Sequence, residues 1–394
     1  MSVTTRLYYD DATLAAFEAT VLACDPADAG YRIALDRTAF YPTSGGQPHD
    51  LGHLRAGDLV VPVTDVTAED EQVWHQVGQP IAAGTRVSGK IDATRRHTHL
   101  QQHSGQHILS AAFDALFENR TESVHLGAEA CTLDLHREVT ADECRRAEDL
   151  ANAVVWDNRP VAVRYADARD LAGEPRLRKA TTRTGRIRLI DITGHDLSAC
   201  GGTHVGATGE VGVIAIRGTE RFRGGTRVTF VAGRLALDSY RDLRDSADAA
   251  ARVLSVSIGD LPDALTRLRE DLKGEQRRAR ELTEQLTVIQ AATLESRVEA
   301  SGLLLAHLPE ADAQGLRVTA SQLVATPGRV VVLLGGPAPH ALAVARSADR
   351  IDIDAGALVR TICGAHGGKG GGRPDFAQAG GVCASTDALR TLLG

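Results

Sequence analysis

The sequence predicts an α+β protein with four parts. They are an N-terminal small β-barrel, an α/β-sandwich domain, a helical coiled-coil or hairpin segment, and a small C-terminal α/β domain. Three observations predict it. Short apolar runs bounded by turn residues recur through residues 1–90, the pattern of small barrels. Helical periodicity then alternates with strand-like runs without strict βαβ order, which indicates α+β. At about residue 237 the chain turns charged, Ala- and Leu-rich and glycine-poor, and near residue 303 it reverts to apolar strand-like runs. At 394 residues the chain is too long for one ordinary core. The expected boundaries are 1–90, 91–236, 237–302 and 303–394.

In the first part, Tyr31–Leu35, Val60–Val63, Val73–Val77 and Arg86–Ile91 read as strands. Between the first two lies a loop from Thr38 to Gly52, with Gly45, Gly46 and Gln47 among hydroxyl residues. It is either a tight hairpin turn or a loop that lets a ligand approach the backbone. Asp92 or Thr94 can cap a helix running to about Phe117, with Leu100, Ile108, Leu109, Ala112, Phe113 and Leu116 as its apolar set. Strands follow at Ser123–Leu126 and Cys131–Leu135, a helix at Ala141–Asp157, and strands at Val161–Tyr165, Ile187–Ile192, Val211–Ile216 and Thr226–Val231.

Leu265, Leu268, Leu272, Ala279, Leu282, Leu286 and Ile289 form a heptad seam with Glu275 in its weak slot. The seam suits a homodimer or an antiparallel hairpin. In the last part, Val330–Leu334 reads as a buried strand and Ala341–Ala345 as another, and a helix near Ala355–Cys363 enters the glycine-rich stretch Gly364–Gly381. With Lys369 and Arg373 that stretch is either a phosphate or RNA-backbone cradle or a surface loop. It contains no Walker pattern.

The formal net charge of −7 argues against nucleic acid binding over the whole surface but leaves room for local patches. Two arginine-dense pieces qualify: Arg176, Arg178, Lys179, Arg183, Arg186 and Arg188, then Arg217, Arg221, Arg223 and Arg227. Each is either a solvated face or an RNA-facing one. The six cysteines show no C-x-x-C pair or disulfide framework. The first residues lack an apolar signal segment, and no run reaches the ~20 apolar residues of a membrane span. A reducing cytoplasm is the expected location.

Chemistry concentrates at His99, His103 and His107, spaced four apart on one helical face. Two imidazoles at i and i+4 can grip one cation. A second pair, Cys200 and His204, completes a set with His103 and His107 that fits zinc best. His99 is left over for a supporting or substrate-binding role. Four protein ligands normally close a structural zinc site, whereas catalytic zinc keeps a position open, so both roles stand.

Taken together, the Thr38–Gln47 glycine motif, His103-x-x-x-His107, Cys200-x-x-x-His204 and the Gly367–Gly381 stretch resemble the stand-alone alanyl-tRNA editing proteins, the AlaX family. They also resemble the editing and C-terminal regions of alanyl-tRNA synthetase. The resemblance covers nearly the whole chain, and four motifs in the family's order are specific. No counterpart of the aminoacylation domain is seen, as in the long AlaX form. The resemblance implies hydrolysis of serine, and of glycine, from tRNA(Ala), with one zinc on His103, His107, Cys200 and His204. It implies substrate or water contacts from Thr38 and Gln47, and RNA contacts from Lys369 and Arg373. Two rivals are a non-catalytic tRNA-binding module with structural zinc, and a phosphoesterase. The phosphoesterase lacks its aspartate clusters here. Threonine in place of serine is a variant of the lead reading.

Overall fold

The computed structural model describes residues 3–171, 173–179 and 184–393. Arg183 therefore lies outside the described residues. The chain divides into two compact units, Met1–Ala249 and Ala250–Gly394.

The first unit opens with a closed six-stranded barrel. Its strands run in the order Ala16–Ala27, Gly30–Leu35, Gln72–Val77, Leu59–Glu69, Gly52–Ala56 and Arg86–Ile91. Phe17, Ile33, Leu54, Val61, Val63, Val73 and Val87 point inward, as strand alternation requires. Two of these strands escape the sequence reading. Ala16–Ala27 presents small residues and a proline, and Gly52–Ala56 buries Leu54 alone.

Helix α1 (Ala93–Phe117) begins where Asp92 accepts the Arg95 N–H, and ends at Glu118 in the left-handed region. Nearly every residue from Leu100 to Phe113 is buried, so the helix runs through the middle of its domain rather than along its surface. Gly105 permits this, because a Cβ there would lie 2.9 Å from that of Ala232. Helix α2 (Ala141–Trp156) carries a Thr140–Glu143 capping box.

Two sheets complete the sandwich. One runs Ile214–Phe222, Gly225–Ala232, Cys131–Leu135, Thr121–Leu126, and the other Val161–Asp167, Arg186–Ile192, Asp196–Ala199. Both share a core with α1 and α2 through Leu133, Phe230, Ile190, Phe113 and Val154. The expected strand at Val211–Ile216 starts only at Ile214, because residues 208–211 form a 3-10 turn and Gly212 has φ +70°.

Helices α3 (Gly233–Leu254) and α4 (Leu261–Glu295) follow. Leu265, Leu268, Leu272, Leu282, Leu286 and Ile289 of the heptad seam are exposed. The second unit's sheet has the order Leu303–Leu308, Val330–Gly335, His340–Arg346, Phe376–Val382, Lys369–Gly372. Helix α5 (Ala313–Leu323) and the end of α4 cover one face. Helices α6 (Ala355–His366) and α7 (Thr386–Leu393) cover the other. The glycine-rich stretch is not a free loop. It is an antiparallel pair in which Lys369–Gly372 forms the edge strand. A Cβ at Gly370 or Gly372 would fall 2.1–2.4 Å from backbone atoms of the neighbouring strand, so glycine serves strand packing there. No helix among the described residues is long and apolar enough to cross a membrane.

Candidate metal centre

Helix α1 supplies His103 and His107 one turn apart. The turn leaving strand Asp196–Ala199 supplies Cys200 and His204. One ligand atom from each of the four lies within 4.8 Å of every other. Cys200 Sγ is 3.4 Å from His103 Nε2 and 3.3 Å from His204 Nε2. A tetrahedral zinc with bonds of roughly 2.0–2.3 Å needs donor separations of roughly 3.4–3.6 Å, so the donor set fits that ion in chemistry, and the two Cys200 separations match it in size.

The other nitrogen of each imidazole has its own partner. His103 Nδ1 donates to Gln47 Oε1 at 2.8 Å. His107 Nδ1 donates to Asp196 Oδ2 at 2.9 Å. His204 Nδ1 meets Ser104 Oγ at 3.2 Å, and Ser104 also accepts the Val205 N–H. Such partners fix ring orientation and leave each Nε2 for the cation. Asp196 is held in turn by Arg178 Nε at 2.7 Å and by the Ser198 hydroxyl. Gln47 braces both sides of the centre: its Oε1 also accepts the Thr203 N–H and its Nε2 donates to Thr203 Oγ1.

Electrostatics follow this layout. Burial raises the Cys200 thiol, but the facing His103 and His204 rings outweigh it and hold the group well below its usual range. The Gly202 N–H points at its sulfur. Burial lowers His107, yet the bond to Asp196 and the Cys200 sulfur lift it to about 9. Burial and the neighbouring His103 push His204 down to about 3. The rest of the turn is shaped for closeness. A Cβ on Gly202 would sit 2.0 Å from His103 Cε1, so only glycine fits there.

A buried ion pair ties the glycine loop to α1. Arg96 reaches Asp50 and the carbonyls of Ala12 and Ala39, while Asp50 Oδ2 accepts the Tyr41 N–H at 2.7 Å. Gly46, with φ +84°, packs against the Val124 carbonyl. The loop thus delivers Gln47 to the metal centre. Thr38 goes elsewhere: its hydroxyl donates to His75 Nε2 at 2.8 Å inside the barrel and accepts the Phe40 N–H. His99 is buried one turn before His103, its Nδ1 without a partner, and burial lowers its pKa to about 4. Lys369 and Arg373 lie exposed at the edge hairpin of the second unit, where Arg373 pairs with Asp375.

Several arginines of the two dense pieces are held by ion pairs or hydrogen bonds. Arg176 pairs with Asp191, Arg178 with Asp196 and Arg227 with Asp134. Arg188 Nη1 donates to the carbonyls of Cys200 and Gly202 at 2.8 and 2.9 Å. Sequence reasoning did not single out Asp196, Ser104 or Gly202. The first two have no local pattern, and Gly202 stood only inside the C-x-x-x-H spacing.

Three family models match the chain. Residues 6–95 match tRNA synthetases class II (A), residues 187–229 the threonyl and alanyl tRNA synthetase second additional domain, and residues 301–393 the DHHA1 domain. The second of these contains Cys200 and His204. Segments of both units thus resemble parts of aminoacyl-tRNA synthetases.

Among individual relatives, the chain is homologous to alanine–tRNA ligases. That of Halorubrum lacusprofundi is 34% identical over 409 residues, covering 99% of this chain and 44% of the relative. That of Natronomonas pharaonis is 35% identical over 414 residues, with the same coverage of 99% and 44%. That of Pyrococcus abyssi is 32% identical over 388 residues, covering 95% and 42%. The chain therefore spans less than half the length of these curated relatives. The crystal structure of the C-Ala domain from Aquifex aeolicus alanyl-tRNA synthetase is 26% identical, covering 24% of this chain and 92% of that one. Its TM-score of 0.22 is too low to bear on the fold.

Proposed function

We propose that the chain is a trans-editing hydrolase that removes serine, and also glycine, from mischarged tRNA(Ala) in a zinc-dependent reaction. The observation that carries this reading is the buried cluster of His103, His107, Cys200 and His204, each ring oriented by its own partner. It lies within a chain homologous to alanine–tRNA ligases over 99% of its length.

The reaction is simple in its balance. A water oxygen adds to the ester carbonyl carbon, the bond to the ribose oxygen breaks, and that oxygen takes up a proton. Free serine and a deacylated tRNA result. Zinc, when bound, supplies a Lewis acid that polarises the ester or fixes the substrate's position. An aminoacyl ester is already activated, so orientation and modest polarisation suffice. Gln47, Asp196 and Ser104 contribute by holding the three imidazoles in one geometry. Thr38 serves the loop that carries Gln47, through its bond to His75. A group in the site that hydrogen-bonds the serine hydroxyl would favour serine over alanine, because it is left unpaired when the hydroxyl is missing; glycine would enter by its smaller size instead. Lys369 and Arg373, as exposed cations, supply contacts to the tRNA backbone, and the exposed leucine seam of α4 or the C-terminal domain supplies a homodimer contact.

A second reading is favoured by one feature, the four-donor set. Four protein ligands close a zinc site, and the chain would then be a tRNA-binding module with a structural metal. Deacylation of Ser-tRNA(Ala) and Ala-tRNA(Ala), with zinc content measured on the same sample, separates the two. Loss of serine with alanine spared supports editing, and no turnover by zinc-loaded protein supports the binding module. Cys200→Ala is expected to lose zinc and deacylation together.

A further inference from the structure

A cavity of about 480 Å³ reaches His204, and its lining includes Tyr9, Asp10, Asp11, Val163 and Arg188. Its volume falls within the roughly 300–1,000 Å³ of small-molecule sites. Strands Val161–Asp167 and Arg186–Ile192 give it an apolar wall. Arg188 is fixed at that wall by the Cys200 and Gly202 carbonyls, with its guanidinium 5.3 Å from the Tyr9 ring centroid. Its Nε is buried without a partner.

Charge is the informative property of this cavity. Asp10 and Asp11 are the only acidic side chains that line it among the described residues. Asp11 is partly satisfied, since its Oδ1 accepts the Thr13 N–H at 2.9 Å and the Thr13 hydroxyl at 2.7 Å. Asp10 has no side-chain partner among the described residues. Its backbone is fixed by an N–H bond to the Leu7 carbonyl. An aminoacyl ester carries a free α-amino group that titrates near neutral pH and can bind as the ammonium. That ammonium is two bonds from the carbonyl carbon, so any pose with the ester at the metal centre puts a cation beside it. Arg188 is already a cation there, and one thiolate with three neutral imidazoles leaves a divalent ion net positive. Binding a third positive group at this place requires a negative partner.

Building on the editing reading, we propose that this cavity receives the aminoacyl-adenosine end of the tRNA and that the Asp10 carboxylate pairs with its free α-ammonium. Asp10 is then a specificity-determining residue that admits aminoacyl-tRNA and rejects N-blocked esters, such as formylated or peptidyl forms.

The test compares Ser-tRNA(Ala) with N-acetyl-Ser-tRNA(Ala) on the zinc-loaded full chain and its D10N variant. Binding of the stable 3′-amide analogues, seryl- and N-acetylseryl-3′-aminoadenosine, is measured by calorimetry alongside. The wild type should prefer the free amine at least tenfold in kcat/KM and in analogue affinity, as expected for a charge-assisted hydrogen bond. In D10N both ratios should fall towards one, mainly through KM. Equal hydrolysis and binding of free and acetylated forms by the wild type would overturn the inference and leave the editing reading intact. Loss on acetylation that D10N does not change would place amine recognition elsewhere, at the metal for example, and also overturn it. No hydrolysis of either ester would overturn the editing reading itself. Amine-dependent binding abolished in D10N would even then uphold the pocket, and its absence would remove both.

Discussion

Replacing Gly202 with alanine isolates what holds His103 in place. An added Cβ would lie 2.0 Å from His103 Cε1, 2.4 Å from Nδ1 and 3.1 Å from Nε2. Ordinary carbon contacts need about 3.5 Å, so the ring must retreat by roughly 1.5 Å. It cannot do so freely, because its Nδ1 is bonded to the buried Gln47 side chain. Metal–ligand distances tolerate only about ±0.2 Å, and His103 would leave the donor set. The chain itself should tolerate the change, since Gly202 does not occupy the left-handed region, and overpacking of this kind costs about 1–3 kcal/mol. Zinc affinity is expected to fall by at least about 100-fold, the upper end of the effect of losing a supporting contact. Deacylation should fall with it. Gly201→Ala is the matched control: its Cβ would meet only the Tyr9 hydroxyl at 3.7 Å, an ordinary contact. Zinc content, a chelator competition and deacylation measured on both variants decide the matter. Wild-type zinc affinity in Gly202→Ala would refute the steric reasoning.

Three more expectations follow from named contacts. Asp196→Asn weakens the acceptor for His107 Nδ1 and the partner of Arg178, and should lower zinc affinity by about 10- to 100-fold, read by chelator competition. Arg96→Met leaves Asp50 buried without its cation and should cost about 3–5 kcal/mol in urea unfolding, unlike a change at an exposed arginine. His75 is buried and neutral, its pKa pulled down to about 4 by burial. The unfolded chain, with a histidine pKa near 6.5, binds the extra proton first. Stability is therefore complete above about pH 6.5 and declines as pH falls towards 4, by about 3 kcal/mol in all. The same titration on His75→Gln should show a shallower decline.

Local patterns were legible in the sequence alone. The α1 boundaries, set by the Asp92 cap and the apolar set from Leu100 to Phe113, lie within one stretch of chain, and so does the spacing of His103 and His107. Cys200 and His204 share a single turn, and the continuous apolar run Val330–Leu334 marked a buried strand. These features depend on periodicity within a short window, which the residues carry with them. The heptad leucines were visible for the same reason.

Tertiary structure decided what each of these groups meets. Gln47, Asp196 and Ser104 reach their histidines across 56, 89 and 100 residues of chain. No local pattern records such pairings, because they arise only when the barrel loop, α1 and the Asp196–Ala199 strand pack together. The same packing sent Thr38 into the barrel while its motif neighbour Gln47 went to the metal centre. It also turned Arg178 and Arg188, members of a charge run, into fasteners of the site. At Gly370 and Gly372 the tertiary contact was a neighbouring strand, and composition alone could not distinguish that close approach from a cradle for phosphate.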